Sequence, residues 1–303
     1  RWMTGGKGLD DFRDSMIHDR RFKVLHDFAD STDCFSSVDI KGGVCFFLWG
    51  SNHNDKCKCY RHTIDGITYS CRYLVEGEDE IFIRESMLVS VKEKVETLKE
   101  ESFSTIVSAR KPYALAAETM RNAKKFGLPE FSAKKIPGGY RVLGLLDNQR
   151  RGYKYIPKNY PLDEIKKGSD KYNKGFDKYK VFIAEAYGCG ALGEIPSTPV
   201  LSTPGDLCTE TFLQLGPFNT KIEAKNLISY IRTKFFRALV GIIKQTQHTT
   251  QKVYKYVPLQ DFTPNSDIDW SKSIPEIDQQ LYKKYNLSQG EIDFIESKVK
   301  PME

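Results

Sequence analysis

Residues 1–50 read "RWMTGGKGLDDFRDSMIHDRRFKVLHDFADSTDCFSSVDIKGGVCFFLWG", and this stretch decides the fold. Leu9, Phe12, Met16 and Ile17 recur at helical spacing. "FKVLHDF" then sets Phe22 and Val24 against charged or polar neighbours, the alternation of a strand. "VCFFLW" is a short unbroken apolar run and reads as a strand buried on both faces. One helix and two strands cannot close a core of their own. The stretch is therefore expected to be the last part of a larger α/β sheet whose other strands lie upstream of Arg1.

Working outward, "KCKCYRHTIDGITYSCRYL" (residues 56–74) reads as a hairpin turning at Asp65-Gly66, which sets Tyr60 across from Cys71. Alternation then sends Cys57 and Cys59 to one face and His62 with Cys71 to the other, so the four do not make a tetrahedral zinc set. Met87, Leu88, Val91, Val95 and Leu98 mark an amphipathic helix over 84–99. "SFSTIVSARKPYAL" is read as strand and loop, and "GYRVLGLLDNQRRGYKYI" as a hairpin with arginines at its tip. "YKVFIAEAYG" and "LCTETFLQLG" are further strands, separated by the Pro-marked loop "PSTPVLSTPG". A capping box from Thr220 to Glu223 opens a long helix striped by Ile228, Ile231, Phe235, Leu239 and Ile242. "VYKYVPL" alternates as a strand or extended segment. Two short helices, 275–285 and 289–299, close the chain, the second capped through Ser288 and Glu291. The expected class is α+β, with mixed α/β character.

The 303 residues suffice for one large or two ordinary domains. No stretch approaches the roughly 18–20 apolar residues of a membrane span, and no signal-peptide pattern is visible. Seven cysteines, an odd number without a framework, argue for reduced thiols and a cytoplasmic setting. The net charge of +6 is matched by a single window, Arg150–Lys180, with ten Lys/Arg against four Asp/Glu. Tyr153, Tyr155, Tyr160, Tyr172, Phe176 and Tyr179 share that window, a composition suited to phosphates and stacked bases but equally to a solvated lysine-rich loop.

No glycine-rich phosphate loop, serine elbow or zinc helix motif is present. Glu164-Ile-Lys166 matches the tail of a nuclease metal site, but the triplet arises readily in a lysine-rich chain and no Pro-Asp precedes it.

Four strings carry a resemblance: "RWMTGGKGLDDFR", "VDIKGGVCFFLW", "CTETFLQLGPFNTKIEAKNLISYIRTKFFRALV" and "KVYKYVPLQDF". With them the chain resembles, over essentially its whole length, the C-terminal part of adenine-specific (N6) DNA methyltransferases of type II restriction–modification systems. Some relatives carry a nuclease or helicase in the same chain. The resemblance implies the end of a methyltransferase-type sheet at 1–50, a hairpin and connecting helix at 51–100, a target-recognition domain at 101–265 and a helical segment at 266–303. It implies duplex DNA and an upstream methyltransferase domain of the same parent chain as partners. S-adenosylmethionine is implied for the full-length enzyme and not for this stretch, which lacks the donor motif and Asn-Pro-Pro-Tyr. Methyl transfer by these residues alone is not expected.

Phe35 in "DCFSSVDIKGGVCFF" matches the family's ring that stacks on an extruded adenine; a core residue at a strand entrance is the alternative. The helix, polar run and "VPL" also resemble specificity subunits of type I restriction enzymes. On that footing Lys244, Gln245, Gln247, His248 and Lys252, with Arg150, Arg151, Tyr153, Lys154 and Tyr155 of the hairpin, are expected at the DNA. A protein-interaction module with a basic surface and a metal-dependent nuclease are the competing readings.

Overall fold

Phe22–Phe28 is a strand, β1, as its alternation implies. The computed structural model describes all residues except 1–2, 4–7, 29, 38–39, 41–42, 77–79, 162–174, 245 and 303. Helix α1 (Asp10–His18) buries Arg13 and Ile17, and a small core gathers Met3, Ile17, Phe22, Leu25, Cys57 and Phe82. The first sheet has the order β2-β1-β3-β4, with β2 at Val44–Trp49, β3 at Cys57–Thr63 and β4 at Gly66–Arg72. β1 runs parallel to β3; the other two pairings are antiparallel.

Two expectations for this region are corrected. "VCFFLW" is not buried on both faces. Among the described residues it is an edge strand with one neighbour, and Phe46 and Leu48 are 53% and 56% exposed. An apolar run signals a surface that wants covering and says nothing of which sheet position it takes. The 57–72 hairpin turns at Ile64-Asp65, with Thr63 opposite Gly66, so Tyr60 faces Tyr69 and Cys71 faces Lys58. Gly66 adopts φ +122, which explains why glycine closes the turn there. The slip is two residues, so the face parity is unchanged and Cys57 and Cys59 still point away from His62 and Cys71. On the open face the His26 ring stacks between Phe46 and Tyr60 at 4.6 and 4.7 Å, and His62 stacks on Phe28 at 4.0 Å.

The rest is built on two three-stranded sheets. One has the order β6-β5-β9 (β5 Tyr140–Leu145, β6 Arg151–Ile156, β9 Leu207–Cys208). The other has the order β10-β7-β8 (β7 Tyr179–Ala184, β8 Val200–Ser202, β10 Phe212–Phe218). β7 is apolar on both sides: Val181 and Ile183 enter the largest core, while Phe182 enters a second core under β5 and β6. The 139–156 hairpin forms where its turn signals lie. α2 (Ser86–Thr97) and α3 (Ala117–Arg121) precede it.

Helices α4 (Lys221–Arg232) and α5 (Lys234–Ile243) replace the single long helix expected from the stripe. Thr233 leaves helical backbone at ψ 149, and its hydroxyl accepts the Phe236 N–H at 3.1 Å. The stripe survives the break because α5 is buried nearly all round. α6 (Ile274–Lys284) and α7 (Gln289–Lys298) end the chain, both with complete capping boxes.

Three loop assignments also change. Residues 103–106 form a 3₁₀ turn rather than a strand, begun by Ser102, whose hydroxyl accepts the Ser104 N–H. The Pro-marked loop contains β8. "VYKYVPL" is no strand. Gln251–Tyr254 is a 3₁₀ turn, and the N–H groups of Val253, Lys255 and Val257 bond to carbonyls three residues back. Its apolar residues Val253, Tyr254, Tyr256 and Val257 plug the main core instead.

Candidate nucleic-acid interface

The β5–β6 hairpin presents Arg150 at its tip. Backbone bonds between Leu146 and Arg150, and the Asn148 carboxamide accepting the Arg150 N–H at 3.0 Å, fix the turn and leave the guanidinium exposed. Arg151 is exposed and donates to the Thr198 carbonyl at 2.7 Å. The next residues are less available. Tyr153 is half-buried under the Arg141 guanidinium, 4.4 Å from its ring centre, and burial raises its pKa. Lys154 turns inward and donates to the Met120 carbonyl at 3.0 Å. Tyr155 pairs its backbone with Ser132 and lines a surface cleft.

The polar run after α5 divides in the same way. Lys244, expected at the DNA, is buried. Its ammonium lies against the Glu194 carboxylate, 3.0 Å from the Tyr187 carbonyl and 4.3 Å from the Tyr187 ring centre. Glu194 also accepts the N–H groups of Cys189, Gly190 and Ala191 at 2.6–2.9 Å. Burial works to raise the Glu194 pKa, but Lys244 and these N–H groups overcome it and hold it at about 2. Lys244 therefore anchors the loop and does not face a ligand.

Gln247 and His248 are exposed. The Gln247 main-chain carbonyl accepts the Tyr187 N–H at 2.8 Å, which fixes the backbone there. The His248 Nδ1 lies 3.1 and 3.2 Å from the two oxygens of buried Glu185. A carboxylate there fixes the ring and the Nδ1–H tautomer, leaving Nε2 to meet a partner, 3.5 Å from the Gln247 amide. Lys252 lies apart from them, 3.9 Å from Glu80, which also faces Lys255 at 3.2 Å. Gln245 and the Glu164-Lys166 triplet fall outside the described residues. Segment 185–200 touches both halves of the candidate surface, through Thr198 to Arg151 and through Tyr187 to Gln247.

Most aromatic rings of the basic window do not form a stacking row. Tyr160 is buried and donates to the Pro129 carbonyl, and Phe176 packs edge-on against Tyr140. Lys180 is fully buried, its ammonium held by the carbonyls of Gly175, Phe176 and Lys178 at 2.9–3.2 Å. Burial lowers its pKa to about 8. Phe35 is 53% exposed, held by its N–H to the Ser31 carbonyl. Its ring is not in the core.

Sequence reading missed a cleft of about 530 Å³ beside the hairpin, lined among others by Lys135, Tyr140, Arg141, Tyr155, Lys158 and Asp206. Its sequence signal is the pair of glycine turns, "KKIPGG" and "STPGD", each next to charge. Among the described residues no group of three or more His, Cys, Asp or Glu is placed to hold a metal ion, and no helix is long and apolar enough to cross a membrane.

A 57-residue segment is 35% identical to a protein of Mycoplasma pneumoniae described as an uncharacterized adenine-specific methylase. This chain is similar to an adenine-specific methylase. The similarity bears out the resemblance read from the sequence, over that segment. It takes in 18% of this chain and 14% of the relative. No protein-family model matches. Among solved structures, the type IIG restriction endonuclease BpuSI aligns with 95% of this chain and 41% of its own, at 12% identity and a TM-score of 0.36. The type IIL restriction–modification enzyme MmeI, solved in complex with DNA, aligns with 92% of this chain and 45% of its own, at 9% identity and 0.43. This chain spans less than half of either.

Proposed function

We propose that this chain is the DNA-recognition part of an adenine-specific restriction–modification methyltransferase, with methyl transfer carried by another part of the parent protein. The adenine-methylase similarity carries the reading. Two features of the molecule support it. Arg150, Gln247 and His248 are exposed, and segment 185–200 links the turn that carries Arg150 to the two residues that can read base edges. The apolar edge strand β2 is the margin at which an upstream sheet would join. Phe35, exposed beside that sheet, is the proposed face for an extruded adenine.

The methyl donor does not fit the residues described. Among them no strand runs into a glycine-rich turn that opens a helix, the arrangement that seats such a cofactor. No described residue is therefore assigned to S-adenosylmethionine.

A mobility-shift titration with duplex DNA tests the reading. Binding is expected to weaken with salt at a logarithmic slope near −0.9 per neutralised phosphate. Absence of salt-dependent duplex binding would overturn it. Gln247→Ala and His248→Ala are expected to relax preference at one base pair each, by about 1–3 kcal/mol, with non-specific affinity unchanged. A selection from randomised duplexes reads this out, and an identical selected site in the variants would remove both residues from base reading.

A further inference from the structure

We propose that the cleft beside the hairpin seats phosphates of the duplex backbone, with Lys135 and Lys158 as its contacts. This rests on the DNA-recognition reading and adds a site to it, apart from the hairpin tip and the 246–248 run.

The cleft holds about 530 Å³, room for a phosphodiester with its sugar. Among the described residues its charges do not cancel: Lys135, Arg141 and Lys158 line it with one carboxylate, that of Asp206. Asp206 is buried and already occupied: Arg141 donates to both of its oxygens at 2.9 and 2.6 Å, and Thr203 donates through N–H and hydroxyl at 2.7 and 3.0 Å. Arg141 matches the charge of this carboxylate, which leaves the two lysines as the excess charge of the cleft. Lys135 and Lys158 are exposed, and neither ammonium has an ion pair or hydrogen bond among the described residues. Two unpaired ammonium groups facing one polar depression form a site for anions.

The bare backbone at the rim suits a phosphodiester. The depression is bounded by two glycine turns, Gly138 at φ +68 and Gly205 at φ +82. Positive φ selects glycine at both, and the missing side chains let a backbone ligand come close to the main chain. A Cβ at Gly138 would meet nothing within 4 Å, so that rim is bare. Tyr140 and Tyr155 line the cleft beside the cations, where a ring can lie against a sugar. The Arg141–Asp206 pair ties β5 to the 203–206 turn and keeps the two sides in register.

The test uses the full chain and a fluorescein-labelled duplex of mixed sequence, with anisotropy read over a salt series. Lys135→Ala/Lys158→Ala is expected to lower affinity about tenfold to a hundredfold at low salt for every duplex tried, and to make the salt slope shallower by about 1.8. Lys272→Ala/Lys283→Ala removes the same charge from exposed positions around α6 and is expected to leave the slope unchanged. An unchanged slope in the cleft variant, with wild type still binding, overturns the cleft and leaves the DNA reading standing. An equal drop in the control variant, or displacement of DNA by polyglutamate at matched charge, also overturns it, in favour of a general anionic surface. Failure of wild type to bind duplex overturns both.

Discussion

Lys244→Met is expected to destabilise the protein by about 3–5 kcal/mol, because it removes one partner of a buried ion pair. The remaining carboxylate, Glu194, keeps the N–H groups of Cys189, Gly190 and Ala191 but loses its cation. Methionine preserves most of the stem's packing against Tyr187, so the loss reports the charge. Lys244→Met/Glu194→Gln is expected to recover a large part of it, since neither partner is then left charged and unpaired. Denaturant unfolding of wild type, Lys244→Met, Glu194→Gln and the double variant closes the cycle. Acid supplies a second readout. The Glu194 pKa is about 2 in the folded protein against 4.5 ordinarily. A depressed carboxyl contributes stability above pH 4.5 that is lost as pH falls toward 2. That acid-labile part is expected to shrink in Lys244→Met. A variant that unfolds like wild type but binds DNA less well would return Lys244 to the interface, where its place in a polar run had put it.

That reversal shows which parts of the chain were legible. The 139–156 hairpin and the capped starts of α4 and α7 were read correctly because their signals are local. A turn sequence between alternating strands, or Thr220 and Ser288 three residues ahead of a glutamate, acts within a few residues of where it is written. Some failures involve distant partners: Lys244 is buried by Glu194, fifty residues earlier. Lys180 is buried by its own turn, which brings the carbonyls of Gly175, Phe176 and Lys178 onto its ammonium. Neither lysine differs in local sequence from one in solvent. Alternation misled at "VYKYVPL", where apolar residues with polar neighbours also suit a turn that plugs a core. Exposure at β2 was hidden because an apolar run looks the same at a sheet's centre and at its edge. The candidate surface was read in part: Arg150, Arg151, Gln247 and His248 are outside, Tyr153, Lys154 and Lys244 are occupied, and Lys135 and Lys158, which flank the hairpin, were missed because nothing in their local sequence shows that they line one cleft.

The break between α4 and α5 has the same kind of cause, and Asp278→Ala is expected to cost about 2–4 kcal/mol by undoing it. Asp278, on α6, is buried, and its two oxygens accept the N–H groups of Phe235 and Lys234 at 2.9 and 3.0 Å. With Thr233 on Phe236, the first three donors of α5 are all satisfied, two of them by another helix. Alanine leaves two helix N–H groups without acceptors and removes a negative charge from the positive end of a helix dipole. Burial raises the Asp278 pKa to about 6, against the opposing pull of these N–H groups and of Arg237. The sign is opposite to that of Glu194. A carboxyl whose folded pKa exceeds its ordinary 3.8 makes the fold less stable as pH rises from about 4 to about 6, here by about 3 kcal/mol, and adds no pH dependence above that. Asp278→Asn keeps one acceptor and cannot ionise, so it is expected to cost less than alanine and to abolish this dependence. Chemical denaturation of both variants between pH 4 and 7 measures it. A pH dependence that survives unchanged in the asparagine variant would show that another group titrates there.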